Sequence, residues 1–514
     1  MFSYLGKLKD EKLSAHSPIG PLFLLLSLIL LFVEGGAYSE QLDDAFITYR
    51  YAENLVNGNG LVFNVGEYVE GYTNLSWTLL VALGLLFDFP AWLVGHYLQL
   101  FSAALLLIGS YKYTSSILPR AHWIAGCVPL ALLASNTFAT WTSSGLETPL
   151  FAGLVVWAFY FYNRNRMLVV SVLCVLATMT RPEGGLVAVM LICSKWIGAV
   201  AYRRPTSMVE LLHISIPGLL FALYVAAHTS FRIYYYGDVV PNTFYAKVGG
   251  IPLASGIGYV RNFFVDGSFV LTLPATLAAM YIRKFRIAFF YALLTIAYVV
   301  YIGGDAFKLG RFFLQVLPLL IAGAIVAGVV LYYKVRMLGI FVLSSIPCFV
   351  LLSMYSTWPG SIEFYGLVQK EFPSSAKREF ARSPHFFDPQ DMIKAKAQEI
   401  AELTPRVEVI AAVGIGKLGF YSMDTRILDL VGLVDRTVAK STRVAPATLI
   451  LPGHQRTDAP YILEQKPDII WIPRSPAEGA ARGLTLPAVE DLWSQEKLED
   501  EYYWDDRLGF YRRK

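Results

Sequence analysis

The feature that most constrains this chain is a series of long apolar segments separated by short basic clusters. A helix needs about 20 mostly apolar residues to cross the hydrocarbon core of a bilayer. Candidate spans fall at roughly residues 18–38, 91–112, 121–139, 145–162, 167–180, 184–201, 209–231, 266–282, 285–302, 312–333 and 337–356. Hydrophobic residues fill 55% of the 514 positions and charged residues 16%, whereas soluble domains carry roughly 25% charge. The chain therefore reads as a polytopic α-helical membrane protein with some soluble mass.

Basic loops stay cytoplasmic, so Lys7/Lys9/Lys12, Arg164/Arg166, Arg203/Arg204, Arg283/Lys284/Arg286 and Lys334/Arg336 fix the sides. One segment resists. Leu75–Phe87 is as apolar as a span but only around 13 residues long, better suited to an interfacial helix. If it crossed, Arg164 and Arg166 would land outside; left as a short non-crossing helix, it keeps every basic cluster inside. About 11 spans follow, with the N-terminus inside and the C-terminus outside. The sequence Glu34-Gly35-Gly36-Ala37 is a poor cleavage site, so the first helix is expected to be retained.

This topology puts every unusual polar segment on the outer face. Asp43-Asp44 and Glu67–Asn74 lie in the first outer loop, 34–90. Gly145–Pro149, Arg181–Gly184, Tyr236–Asp238, Pro241–Lys247 and Gly303–Asp305, with Lys308 and Arg311, fall on the same side. The inner loops carry little besides basic residues. A single external active site is the simplest account.

From about Ser356 the long apolar runs stop and charge rises. The expected division is a transmembrane catalytic domain over 1–356 and a small extracytoplasmic α/β domain over 357–514. Val407–Val413, Arg426–Leu430 and Asp468–Ile472 read as short buried strands, and Asp391–Leu403 as a surface helix. Gly414-Ile415-Gly416-Lys417-Leu418-Gly419 matches GxGxxG, which alone is weak evidence for a dinucleotide. An outer-face domain has no obvious nucleotide supply, so a tight strand-to-helix turn is the better reading. Cys127, Cys174, Cys193 and Cys348 sit far apart in apolar runs and suggest neither a disulfide framework nor a zinc site. A net charge of +4 says nothing for nucleic acid, and none is expected as a partner.

An acid near the C-terminal end of a helix meets the negative end of its macrodipole, so helix stability does not explain Asp43-Asp44 just beyond the first span. A carboxylate within reach of a sugar hydroxyl can act as general base, and the surrounding acids would raise its pKa by repulsion. Asp44 directly precedes the amphipathic run 45–56 and can be its N-cap, which leaves Asp43 as first choice for chemistry. Glu147 either caps a helix start or meets substrate; Arg181 and Glu183 either pair with each other or meet substrate. Lys247, Lys308 and Arg311 stand on the outer side against the basic-inside trend. They suit an anionic ligand such as phosphate, or they snorkel to lipid headgroups. Arg181 and Arg50 are the next candidates for that phosphate, and Tyr245 flanks it.

Together these motifs resemble the GT-C class of membrane glycosyltransferases, and more closely the cell-wall family that adds terminal arabinofuranose. The resemblance spans about residues 20–435. It rests on Asp43–Ile47 with Arg50-Tyr51, Asn59–Asn64, Val69-Glu70-Gly71-Tyr72-Thr73-Asn74, Gly145–Thr148, Arg181–Gly184, Pro241-Asn242-Thr243-Phe244-Tyr245-Ala246-Lys247 and Gly303-Gly304-Asp305. It implies an inverting enzyme of a bacterial inner membrane that takes a sugar from a polyprenyl phosphate outside the membrane. The acceptor would be an envelope glycan, lipopolysaccharide or a protein. By the same resemblance Asp43, with Asp44 beside it, is the base. Glu70, Tyr72, Asn74, Glu147, Glu183, Asn242, Tyr245 and Asp305 are expected at the substrates. No cofactor is required on this reading; the alternative is a divalent cation, Mg²⁺ or Mn²⁺, on the paired acids. A transporter or flippase would need polar groups near the bilayer midplane and usually an inverted repeat, and a non-catalytic envelope assembly protein has no use for paired acids.

Overall fold

The computed structural model describes residues 17–37, 41–119, 121–201, 207–247, 253–266, 276–277, 279–307, 310–345, 392–403, 405–443, 454–482 and 486–514. The chain forms two compact units. The first comprises Met1–Ser39, His96–Val225 and Gly256–Glu379; the second comprises Glu40–Gly95, Ala226–Ser255 and Phe380–Lys514. The first-loop segment thus shares a unit with the C-terminal segment.

The first unit is helical. Leu317–Lys334 is its inner helix, buried without a break from Leu317 to Val329, so its sequence is apolar all round instead of striped. Small residues let other helices approach closely. A Cβ at Gly20 would stand 2.9 Å from the His122 carbonyl oxygen, and one at Gly126 would stand 2.8 Å from the Phe23 Cβ. Around them run Thr148–Asn163, Met167–Thr180, Gly184–Ala201 and Arg286–Tyr301. The expected span over 121–139 is broken into a 3₁₀ turn His122–Gly126 and helices Cys127–Leu133 and Asn136–Trp141. Ser135, in extended conformation (ψ 128°), makes the second break. Among the described residues three helices are long and apolar enough to cross a membrane by length and composition: Ala91–Ile117, Ser215–Tyr236 and Leu317–Lys334. Shorter apolar helices include Ile19–Val33, Met167–Thr180, Gly184–Gly198 and Arg286–Tyr301. Most of the candidate span 266–282 and the second half of 337–356 lie outside the described residues.

The second unit is built on a five-stranded sheet ordered β2-β1-β3-β5-β4. β1 (Val409–Ala412) pairs in parallel with β2 (Arg426–Asp429) and with β3 (Ile469–Trp471). β5 (Phe510–Arg513) runs antiparallel to β3 and to β4 (Tyr502–Asp505). Successive strand residues point to opposite faces, and β1 divides accordingly. Ile410 and Ala412 join Ile427, Ile469 and Phe510 in a core completed by Ile47, Tyr51, Leu61, Phe63 and Tyr72 of the first loop. Ala411 faces the other way, with Leu428, Ile470, Ile462 and Val489. The first loop therefore packs on one face of the sheet, and helices Ala459–Glu464 and Pro487–Trp493 on the other. Leu75–Leu85 is a helix of 11 residues, about 16 Å at 1.5 Å per residue, half of what a span requires.

Candidate active site

Asp43 and Asp44 open the helix Asp43–Val56. The N-cap is Leu42, without a side-chain capping hydrogen bond, so the expected N-cap role of Asp44 is not found. Both carboxylates lie in the first turn, where they complement the helix dipole. Asp43 reaches across to the GxGxxG segment. Its Oδ2 accepts the Gly416 amide at 2.9 Å and its Oδ1 the Lys417 amide at 2.7 Å. These amides begin the helix Gly416–Tyr421 and would otherwise lack partners.

Two turns along, Arg50 holds the other end. Its guanidinium donates to the carbonyls of Gly419 (2.6 Å), Ser422 (3.3 Å) and Thr425 (2.9 Å), to Phe63 O (2.7 Å) and to Asn64 Oδ1 (3.3 Å). Seven helical residues rise about 10 Å, which matches the short partner helix. Carboxylate at its amide end and guanidinium at its carbonyl end form a clamp of the right polarity. The glycines follow from the closeness of the two helices. A Cβ at Gly416 would overlap the Asp43 carbonyl, and one at Gly419 would stand 2.7 Å from the Phe63 ring and 3.1 Å from Arg50 Nη1.

Burial pushes the Asp43 carboxyl up to about 6; the Lys417 and Gly416 amides pull it down, and the Asp44 charge adds to the rise. Burial, more than the repulsion expected from the sequence, is therefore the leading cause. Each carboxylate oxygen has two acceptor sites, so one remains on each Asp43 oxygen. Asp43 and Asp44 are both half-buried, and Asp44 makes no hydrogen bond or ion pair among the described residues.

A second network surrounds Glu70. Arg232 Nε lies 2.8 and 3.0 Å from its oxygens, and burial raises the Glu70 pKa to about 7 against the pull of Arg232. The Asn242 amide donates to the Glu70 carbonyl at 2.9 Å, and Asn242 Nδ2 to the carbonyls of Gly432, Leu433 and Asp435 at 2.8, 3.1 and 3.1 Å. Tyr72 Oη lies 3.1 Å from Tyr236 Oη, and Asn74 Nδ2 donates to Thr48 Oγ1 at 3.0 Å. Tyr245 donates to Asp238 at 2.9 Å, and Lys440 pairs with the same carboxylate at 2.8 Å. Lys247 is exposed at the end of helix Asn242–Lys247.

The remaining expected residues belong to the first unit. Arg181 lies 2.8 Å from Glu147 and 3.2 Å from Glu183. Arg311 binds Asp305 through two bonds, 2.7 and 3.1 Å. The Phe312 ring lies 5.1 Å from the Arg181 guanidinium and 5.6 Å from that of Arg311. Glu183 Oε2 is buried without a hydrogen bond. Lys308 lies outside the described residues. Of the cations expected at a phosphate, Arg50 is engaged by carbonyls and Arg181 and Arg311 by carboxylates. Among the described residues no group of three or more His, Cys, Asp or Glu is placed to hold a metal ion.

Nothing in the sequence pointed to Arg232, and Asn64 and Lys417 stood inside motifs without a role of their own. Asn64 continues the sheet edge, donating to the Ile427 carbonyl at 2.9 Å and accepting its amide at 3.0 Å. Lys417 had a signal, a single charge inside the apolar run Ile415–Tyr421.

Residues 387–507 match the model of a domain of unknown function, DUF8728. A terminal β-(1→2)-arabinofuranosyltransferase of Mycobacterium tuberculosis is 28% identical over 256 residues, 46% of this chain and 39% of that protein. The enzyme of the same name from Corynebacterium glutamicum is 25% identical over 330 residues, 52% of this chain and 43% of that protein. The chain thus spans about two fifths of the length of these curated relatives. In structure it is similar to apo ArnT from Cupriavidus metallidurans, with a TM-score of 0.53, 15% identity, and coverage of 90% of this chain and 94% of that one. The chain has the fold of a GT-C polytopic helical membrane protein and resembles the arabinofuranosyltransferases in sequence.

Proposed function

We propose that the chain is an inverting glycosyltransferase that moves an arabinofuranose-like sugar from a polyprenyl-phosphate donor to an envelope glycan, lipopolysaccharide or a protein. The reaction takes place on the outer face of a bacterial inner membrane, in a chain of about 11 spans whose C-terminal α/β segment lies outside the cytoplasm. The observation that carries this reading is the state of Asp43. It is held by two amides, with a pKa of about 6 and an acceptor site left on each oxygen. A general base works best when its position is fixed and its pKa lies near the working pH.

In this mechanism Asp43 takes the proton of the acceptor hydroxyl as that oxygen attacks the anomeric carbon. The bond from that carbon to the phosphate oxygen breaks, and the phosphate departs with the electron pair. The transition state is oxocarbenium-like, and cations near the departing oxygen stabilise it. Asp44 supplies a second negative charge beside the base. Lys247, exposed in the second unit, and Lys308 are donor-phosphate contacts. Arg181 and Arg311 keep their carboxylates, so that Glu147, Glu183 and Asp305 present a fixed polar surface to the sugar. A divalent cation on the acids is the alternative to metal-free catalysis, decided by transfer in the presence of a chelator.

The test is transfer of radiolabelled sugar from polyprenyl-phosphate arabinofuranose by the purified protein. Wild type transfers, and Asp43→Asn transfers at least about 10²-fold more slowly. A wild-type protein that binds the donor but releases no labelled product with any acceptor class overturns the reading.

A further inference from the structure

Three positive charges gather where helix Thr148–Asn163 turns into Met167–Thr180. The first helix closes on a left-handed cap: the Arg166 amide donates to the Phe161 carbonyl and the Asn165 amide to that of Tyr162, both at 3.0 Å. Asn165 sits at φ +57°, where glycine is the default residue. Asparagine tolerates that conformation and brings a side chain that glycine lacks. Its Oδ1 accepts Lys195 Nζ at 2.9 Å. Lys195 comes from the neighbouring helix Gly184–Ala201, and its ammonium lies 4.5 Å from the centre of the Tyr162 ring. The Tyr162 hydroxyl is itself 2.8 Å from Ser194 Oγ. A long, flexible side chain is thus fixed on the residue between Arg164 and Arg166, with two of its three N–H donors unused among the described residues.

Arg164 and Arg166 are exposed, and Arg283 stands near enough to Lys195 to repel it. None of these four cations pairs with an aspartate or glutamate among the described residues. Gathered like charges repel one another, and an anion relieves them. Two further features say which anion. Residues 164–169 line a concave surface of about 390 Å³, near the lower end of the range that ligand pockets span, roughly 300–1,000 Å³. From its rim Leu168, Val172 and Leu176 follow at four-residue steps along the helix, 47%, 55% and 39% exposed. That spacing keeps them on one helix face. An apolar track leading away from a cationic hollow fits a molecule with an anionic head and a hydrocarbon tail. A soluble phosphate has no use for the track.

We propose that Arg164, Arg166 and Lys195 bind the phosphate of an anionic phospholipid of the inner leaflet, with an acyl chain lying along Leu168, Val172 and Leu176. The leaflet rests on the basic-cluster topology; the site itself is independent of the glycosyl-transfer reading. Basic pockets between transmembrane helices on the cytoplasmic side suit such headgroups. The lipid ties the 164–166 turn to the helix that carries Lys195. The two helices joined by that turn have Glu147 and Arg181 at their other ends, held together at 2.8 Å. An inner-leaflet lipid therefore braces the hairpin that carries this pair, and stabilises the folded chain by mass action.

The experiment uses the full chain, purified in detergent and stripped of lipid. Dioleoyl phosphatidylglycerol, dioleoyl phosphatidylcholine and inorganic phosphate are separate probes. Binding is read from the rise in melting temperature with added probe and from lipid-bound peaks in native mass spectra. Phosphatidylglycerol is expected to raise the wild-type melting temperature. Arg164→Gln/Arg166→Gln should need about tenfold more of it for the same rise, and Lys195→Gln several times more. The unliganded melting temperature of the double variant is unchanged, because both arginines are exposed. Arg164→Lys/Arg166→Lys keeps most of the response, since the charge is kept. Leu168→Ser/Val172→Ser leaves every charge in place and weakens phosphatidylglycerol severalfold. Lys334→Gln/Arg336→Gln, in another basic loop expected on the inner side, responds as wild type does. A wild-type response in Arg164→Gln/Arg166→Gln overturns the proposal. An equal loss in Lys334→Gln/Arg336→Gln also overturns it, because general surface charge would then suffice. Phosphatidylcholine or inorganic phosphate acting as strongly as phosphatidylglycerol overturns the assignment to an anionic lipid. Cysteines at 163–166 that are labelled only from outside overturn the inner leaflet and leave the lipid site. Sugar transfer is not the readout, so a failure of the glycosyl-transfer reading is seen separately.

Discussion

At Asp43, one carboxylate has two duties that substitution separates. Asp43→Asn removes the base and also sets an amide NH₂ against one of the two backbone N–H groups. Transfer should fall by about 10²-fold or more, with a lower melting temperature as well. Arg50→Lys opens the same clamp from its other end and leaves the carboxylate untouched. It strands several buried carbonyls, at about 1–3 kcal/mol each for those that find no water. If Asp43 is the base, Arg50→Lys retains far more transfer than Asp43→Asn at a temperature where both remain folded. Equal losses would reduce Asp43 to a fastener. The raised pKa gives a second check, with its sign fixed by chemistry. A base must be deprotonated, so the saturating rate should be flat above about pH 7 and fall tenfold per unit well below the Asp43 pKa of about 6. A limb near the ordinary aspartate value would mean that a different carboxylate limits the rate.

The helix pair Asp43–Val56 and Gly416–Tyr421 explains a motif that sequence alone left ambiguous. Gly416 and Gly419 sit where a Cβ would strike the first-loop helix, while a Cβ at Gly414 would meet only Asp43 Oδ2 at 3.8 Å. Gly416→Ala should therefore cost about 1–3 kcal/mol or more through overpacking, and Gly414→Ala should be close to neutral. Denaturant midpoints decide it; a phosphate-cradling loop would suffer at Gly414 too. The sequence revealed the ends of this element pair but not the pairing. Two acids at a helix start and a glycine-rich turn after Val407–Val413 were both visible. Their hydrogen bonds join positions 373 and 374 residues apart, and local periodicity carries no information over that distance. The same limit explains β4 and β5. Tyr502–Asp505 and Phe510–Arg513 are short and charged, without the apolar run that marked β1, β2 and β3. The 121–139 segment failed differently: its composition suits a span, but the break at Ser135 is a backbone choice that hydropathy does not register.

On the scale of the whole molecule, the compact units cut across the order of the chain. Composition suggested a boundary near 356, since charge and apolar runs change there. Packing puts residues 40–95 and 226–255 with 380–514. Residues 380–514 expressed alone would expose Ile410, Ile427, Ile469 and Phe510, which pack with Ile47, Tyr51, Phe63 and Tyr72. That fragment should bind a hydrophobic dye and aggregate, and a fusion that restores 40–95 should suppress both. A soluble, cooperatively unfolding fragment would contradict a shared core. The side of the membrane is tested by cysteine labelling. Asn163–Arg166 should be reached only from the cytoplasm and residues near Lys514 only from outside; finding both on one side removes the basic-cluster topology.

The clamp also sets a schedule for biosynthesis. The ribosome makes the Asp43–Val56 helix early, and the amides that Asp43 binds come 373 and 374 residues later. At about 5–20 residues per second, that is a delay of roughly 20 to 75 seconds. Throughout it, Ile47, Tyr51 and the aromatic rings of the first loop have no sheet to pack against. A nascent chain stalled just before Gly416 should therefore be held by chaperones and cut readily by protease within the first loop. Release of the last hundred residues should end both.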